Sequence, residues 1–225
     1  MATYLITGAT RGIGRAVVDV LADDDLILLA RDASALERLT GQLPSARSIA
    51  VDLARPADLE TALAGDLPVR LDGIVHAAGL NINGRLSDVG TEEWIEQLVV
   101  NVVAVAELNR LLLPALRAAQ GTVVFVNSGA GRAVKRAGGT AYAASKHALV
   151  ALADGLRLEE PDLRVTTVFP GRVATEMQKD LRAYEGGDYR AEDYVHPTTL
   201  AQVVAGALRL PSDASMTDVA VMPNG

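Results

Sequence analysis

The sequence predicts a doubly wound α/β fold, a seven-stranded, mostly parallel sheet with helices on both faces, in a single domain across residues 1–225. Three observations carry this expectation. Short apolar runs alternate with helical patterns from end to end, and strands joined by crossover helices pair in parallel. The first apolar run, Tyr4-Leu5-Ile6, passes through a loop bearing Gly8, Gly12 and Gly14 directly into a helical pattern. Finally, Gly8, Arg31, Asp52, Ala78, Ser128 and Gly171 all fall at the carboxyl ends of predicted strands, where such sheets bind ligands.

The elements follow in order. Ile13, Ala16, Val17, Val20 and Leu21 recur at helical spacing after the glycine loop. Asp23-Asp24-Asp25 is a polar turn, and Leu26 to Ala30 reads as the second strand, with Arg31 and Asp32 after it. Leu36, Leu39 and Leu43 mark a helix over residues 33–43. Ser48 to Val51 is a third strand ending at Asp52, and Pro56 to Ala64 suits a helix with proline in its first turn. The fourth strand, Leu71 to Val75, closes on His76-Ala77-Ala78-Gly79. Thr91 to Ala119 is one long helical pattern, with Thr91 as N-cap and Glu92 and Glu93 in the first turn. Thr122 to Asn127 is the fifth strand, Gly138-Gly139 breaks the next loop, and a helix runs from Ala141 to Leu158. Strand six, Arg164 to Phe169, stops at Pro170-Gly171. Residues 172–196 lack strong periodicity, Pro197 to Leu210 makes a last helix, and Val219 to Met222 a last strand. No linker, repeat or low-complexity stretch divides the chain.

Composition narrows the function classes. A net charge of −7 argues against general attraction to nucleic acid or anionic membranes. The absence of cysteine excludes disulfides, thiolate catalysis and cysteine-ligated metals, and the three histidines show no metal-ligand spacing. The most apolar stretch, Leu98 to Leu116, contains Asn101, Glu107, Asn109, Arg110 and Pro114, as a buried helix would and a membrane span would not. The first strand begins almost at Met1, so the expected location is cytoplasmic.

Two patterns carry chemistry. A strand, glycine loop and helix in series bind the pyrophosphate of a dinucleotide, because glycines let the backbone approach the anion and the helix start offers unpaired N–H groups. Tyr142 and Lys146 stand four residues apart on one helix face. A phenol with a pKa near 10 is a poor proton donor or acceptor at neutral pH, and a nearby ammonium favours its ionised form. Ser128 at the end of strand five is placed to hydrogen-bond a substrate oxygen beside that phenol.

Together, Thr7-Gly-x-x-x-Gly-Ile-Gly14, the Ala-Ala-Gly79 turn, Ser128 and Tyr142-x-x-x-Lys146 resemble the classical short-chain dehydrogenase/reductase family, whose fold is Rossmann-like. The resemblance spans nearly the whole chain. It implies a reversible carbonyl reductase or alcohol dehydrogenase with Ser128, Tyr142 and Lys146 as catalytic trio, and Asn101 supporting a water chain to the lysine. It implies cofactor contacts from Gly8, Thr10, Arg11, Gly12, Ile13 and Gly14, from Asp52 and Leu53 on the adenine side, and from His76, Ala78 and Gly79. Tyr142 and Lys146 would share the nicotinamide side with Pro170, Gly171, Val173 and Thr175. Two departures stand out. His76 replaces an asparagine of the family pattern, and the segment between Thr175 and Pro197 is short where substrate-binding helices usually sit.

The expected cofactor is NADP(H), because Ala30 ends strand two where NAD enzymes present a carboxylate, and Arg31 with Arg11 would bind a ribose phosphate. Asp32 would take the carboxylate role were the strand longer. His147 reads as structural or solvent-facing, Trp94 as packing, and Arg132, Lys135 and Arg136 as a solvated loop with an anionic substrate or carrier as the alternative. Val99, Val100, Val102, Val103, Val105, Leu108, Leu111, Leu112 and Leu113 spread round the long helix, a wider apolar perimeter than one sheet contact needs, so a homodimer or homotetramer is expected. The expected partner is otherwise a small-molecule carbonyl or alcohol substrate. A dinucleotide-binding sensor with little turnover, and a dehydratase or epimerase using the same phenol, are the competing readings.

Overall fold

The computed structural model describes residues 1–224. Its strands are β1 (Thr3–Thr7), β2 (Asp25–Ala30), β3 (Ala46–Ala50), β4 (Gly73–His76), β5 (Thr122–Val126), β6 (Arg164–Pro170) and β7 (Asp218–Val221). They form one sheet in the order β3-β2-β1-β4-β5-β6-β7, and every pairing is parallel. The order reverses between β1 and β4, and a crevice opens there beyond the carboxyl ends of the strands.

Alternation along the strands divides the core in two. Tyr4, Ile6, Leu26, Leu28 and Val75 face one side, covered by α1 (Gly12–Val20), α2 (Ala33–Thr40) and α8 (Pro197–Leu208). Leu5, Ile27, Ile74, Val123 and Phe125 face the other. That side is covered by α3 (Leu59–Leu63), α5 (Ala104–Ala119) and α6 (Thr140–Glu159). The central strands are buried on both faces, which is why they read as continuous apolar runs.

The expected elements are present, with local corrections. The sheet is wholly parallel, the third strand begins earlier, at Ala46, and the fourth is Gly73–His76. Pro56 opens a 3₁₀ turn ahead of the short α3, and α8 ends at Leu208. The long apolar helix is capped at Gly90, whose N–H reaches the Glu93 carboxylate at 2.7 Å, with Thr91 already helical. It divides into α4 (Thr91–Leu98), a π turn at Val99–Val103, and α5. By length and composition this run could cross a membrane; in the fold Leu108, Leu112 and Leu116 pack into the core.

The largest difference lies in 172–196, which holds helix α7 (Glu176–Tyr184). Thr175 caps it, its Oγ1 accepting from the Gln178 N–H at 3.4 Å, and Val173 bridges Val195 in parallel. Only Met177, Gln178 and Leu181 turn toward the fold's interior cleft, too few apolar positions to print a helical period.

Candidate active site

The cofactor side is built from backbone. Thr7 at the end of β1 accepts the N–H groups of Ala77 and Ala78 through Oγ1 at 3.1 and 3.0 Å, tying together the strand ends that flank the crevice. Gly8 has φ +67, and a Cβ there would stand 2.9 Å from the Ala78 Cα. A Cβ on Gly14 would fall 2.3 Å from the Gly8 carbonyl oxygen. Only glycine allows α1 to start this close to the loop. Arg11 occupies the N-cap of α1 without a side-chain cap, so the first N–H groups of the helix face the crevice unclaimed. Thr10 and Ile13 flank that turn, and the Thr175 methyl packs against Gly12 from across the crevice. A loop that a single Cβ would fill, beside an uncapped helix start, fits a dinucleotide pyrophosphate.

The adenine-side residues stand at neighbouring strand ends. β2 ends at Ala30, and Arg31 is exposed immediately after it. Asp32 is the N-cap of α2, its Oδ1 accepting from the Ala35 N–H at 2.9 Å. Asp52 follows β3 and turns its Oδ1 to the Ala54 N–H at 3.0 Å, while Leu53 is in the core. Among the described residues neither Arg11 nor Arg31 forms an ion pair.

His76 does not turn toward the crevice. Its ring stacks on Phe125 at 5.1 Å and its Nε2 meets Asn109 Oδ1 at 3.1 Å, with only 2% of the residue exposed. Burial lowers its pKa to about 4, so the imidazole is neutral. The backbone that follows it, Ala77 to Gly79, lies against Thr7 and Asn101.

The catalytic side is built from buried polar side chains. Asn127 closes β5 and accepts the Ser128 N–H at 2.8 Å while its Nδ2 donates to the Lys146 carbonyl at 3.1 Å. It thereby fixes Ser128 against α6. Tyr142 and Lys146 share one face of α6, and Lys146 Nζ lies 5.7 Å from the Tyr142 ring centre. Burial raises the Tyr142 pKa; a hydrogen bond with the Ser128 side chain and the charge of Arg136 pull it back. The Lys146 ammonium donates to the Val126 carbonyl at 3.1 Å, and burial brings its pKa down to about 8.

Asn101 sits inside the π turn, where one extra residue per turn redirects a side chain. It is 1% exposed. Its Oδ1 accepts the Leu80 N–H at 2.8 Å, and its Nδ2 donates to Leu80 O and Ser145 Oγ, each at 2.9 Å. A Cβ on Gly79 would lie between Asn101 Oδ1 and Lys146 Nζ, at 3.5 and 3.8 Å. Gln97, one turn earlier and fully buried, accepts the Ile82 N–H and donates to Leu80 O. Sequence reasoning missed Gln97, Asn127 and Ser145. Only Asn127, a polar residue ending an apolar strand, gave a signal.

Pro170, Gly171, Val173 and Thr175 line a cleft of about 280 Å³ with Ser128 and Tyr142. Lys135, Arg136 and residues of α7 complete its lining. Arg132 is diverted, over the Phe169 ring at 3.9 Å and paired with Asp218 at 3.1 Å. His147 is exposed and bonds the Ala143 carbonyl at 2.8 Å, as a structural residue would. No group of metal-ligating side chains occurs among the described residues.

The profile of the family described as short chain dehydrogenase matches residues 2–186. Dehydrogenase/reductase SDR family member 7B of Bos taurus is 31% identical over 229 residues, covering 92% of this chain and 70% of that protein. Among solved structures, an alcohol dehydrogenase from the archaeon Thermococcus sibiricus, complexed with 5-hydroxy-NADP, superimposes with a TM-score of 0.88. It is 28% identical, over 98% of this chain and 96% of that one. A 3-oxoacyl-[acyl-carrier protein] reductase from Brucella melitensis with bound NAD gives a TM-score of 0.82 at 26% identity, over 98% and 89% of the two chains.

Proposed function

The chain belongs to the short-chain dehydrogenase family, and from that premise we propose that it is an NADP(H)-dependent carbonyl reductase, reversible to an alcohol dehydrogenase. The observation that carries this reading is the Tyr142 phenol lining one cleft with Ser128, with Lys146 on the same helix face, beside the glycine-loop residue Ile13. A nicotinamide cofactor held in the crevice would supply or accept the hydride at the carbonyl carbon. Ser128 holds the carbonyl oxygen, and Tyr142 donates its phenolic proton to that oxygen as the alcohol forms. Lys146 has donors to spare for ribose hydroxyls and stands where it can favour the phenolate afterwards. Asn101 supports proton supply by locking the Leu80 turn beside the space between itself and Lys146.

NADP(H) over NAD(H) is supported by Ala30 ending β2, by the commitment of Asp32 to capping α2, and by the two arginines without carboxylate partners. Guanidinium groups bind phosphate by paired, charge-assisted hydrogen bonds. Ile95 and Val103, 55% and 47% exposed on the long helix, support a homodimer or homotetramer. A cytoplasmic location suits this reading.

The test measures kcat/KM with NADPH and NADH across a ketone panel, for the wild type and Arg31→Ala. NADPH should be preferred, and Arg31→Ala should cut that preference roughly tenfold, the scale of one charged hydrogen bond. A preference for NADH, or one untouched by the loss of Arg31, contradicts the cofactor assignment.

A further inference from the structure

The lining of the cleft that holds Ser128 and Tyr142 is not neutral. Arg136 forms part of its wall and is half-buried. Its guanidinium is held from two sides, donating to Asn83 Oδ1 at 2.6 Å and lying 6.0 Å from the Tyr184 ring centre on α7. Among the described residues it has no carboxylate partner, whereas Arg132, in the same loop, is paired. Two amide groups on the same lining also lack partners: Gln178 Nε2, a donor in a residue 6% exposed, and Asn81 Oδ1. A buried donor without a partner costs stability unless a ligand satisfies it. A fixed cation and an orphaned donor, on residues that line the same cleft as the reacting phenol, define what the rest of the substrate should carry.

We propose that the substrate is an oxo acid, or in reverse a hydroxy acid, whose carboxylate is bound by Arg136 with Gln178 as a second donor, while its carbonyl meets Ser128 and Tyr142. The inference rests on the reductase reading and adds the substrate class. Arg136 binds the carboxylate and takes no part in bond making. The hydride adds to the carbonyl carbon, the C=O π pair moves to oxygen, and the Tyr142 proton completes the hydroxyl. The carboxylate is unchanged throughout. Met177 and Leu181 leave an apolar strip on the same wall for the carbon chain between the two ends. The influence of Arg136 on the Tyr142 pKa agrees with a guanidinium close to the reacting group.

The test uses NADPH and a series of 2-, 3- and 4-oxo acids, each paired with its methyl ester, on the wild type, Arg136→Met, Arg136→Lys and Gln178→Leu. For at least one chain length the wild type should prefer the acid by about tenfold or more in kcat/KM, as a charge-assisted pair would give. Arg136→Met should bring the acid-to-ester ratio to near one, and Arg136→Lys should restore part of it. Gln178→Leu should lower the ratio by less. Using the ratio cancels any change in the phenol's own reactivity, and NADPH binding confirms that each variant is folded. Esters reduced as well as acids at every chain length, or a ratio unmoved in Arg136→Met, overturn the carboxylate assignment alone. No turnover of acids or esters in either direction overturns the reductase reading, and this inference with it.

Discussion

The two halves of the crevice are made in different ways. At the β1–β2 end, main chain shapes the site: Gly8 and Gly14 bring the start of α1 against the loop, and Thr7 ties the loop to the end of β4. At the β5–β6 end, side chains from distant elements shape it. Asn127 joins Ser128 to Lys146, and Asn101 and Gln97 hold the Leu80 turn from the long helix. A backbone site tolerates no added atoms, and a side-chain site tolerates no lost hydrogen bonds. The first recognises a feature common to dinucleotides, and the second is free to vary with the substrate.

The sharpest break of that contrast is Gly14→Ala. Its Cβ would meet a backbone oxygen at 2.3 Å, which no side-chain rotation relieves. Cofactor affinity should fall by roughly a hundredfold or more, or the fold should be lost, since a strained backbone contact costs several kcal/mol. Titration of cofactor fluorescence, beside circular dichroism, reads both. An affinity within a few-fold of wild type would mean that the loop is not built by close approach.

Lys146→Met links the halves, because the ammonium serves both the cofactor and the phenol in this mechanism. Turnover and cofactor affinity should each fall, about ten- to a hundredfold in kcat. Loss of one without the other would separate the two roles.

His76 should affect stability alone. Its folded pKa of about 4 lies below the ordinary 6.5, so the unfolded chain binds more protons between those values. Its contribution to stability is complete above pH 6.5 and is lost as pH falls toward 4, amounting to about 3 kcal/mol. Urea unfolding across that range should steepen for the wild type relative to His76→Asn. Identical pH slopes would show that the ring is not held neutral in the core.

The difference between the halves also explains what could be read from sequence. The backbone half was legible because its glycines and the strand–helix alternation sit next to one another in the chain. Tyr142 and Lys146 were legible for the same reason, one helical turn apart. Gln97 and Asn101 act on Leu80 from 17 and 21 residues away, and no local pattern marks such ties. The π turn leaves the apolar run unbroken, so it is invisible to periodicity. Helix α7 was missed because its inward face is short and partly amide, and nothing next to His76 in the chain marks that its ring packs on Phe125 in the core.

The central claim, that Tyr142 is the proton donor, is tested most directly by Tyr142→Phe with any carbonyl substrate that the wild type reduces. The account predicts a loss of at least about a hundredfold in kcat, the usual scale of a general acid, with cofactor affinity retained because the ring still fills its place. Near wild-type turnover by Tyr142→Phe, with cofactor bound, would contradict it.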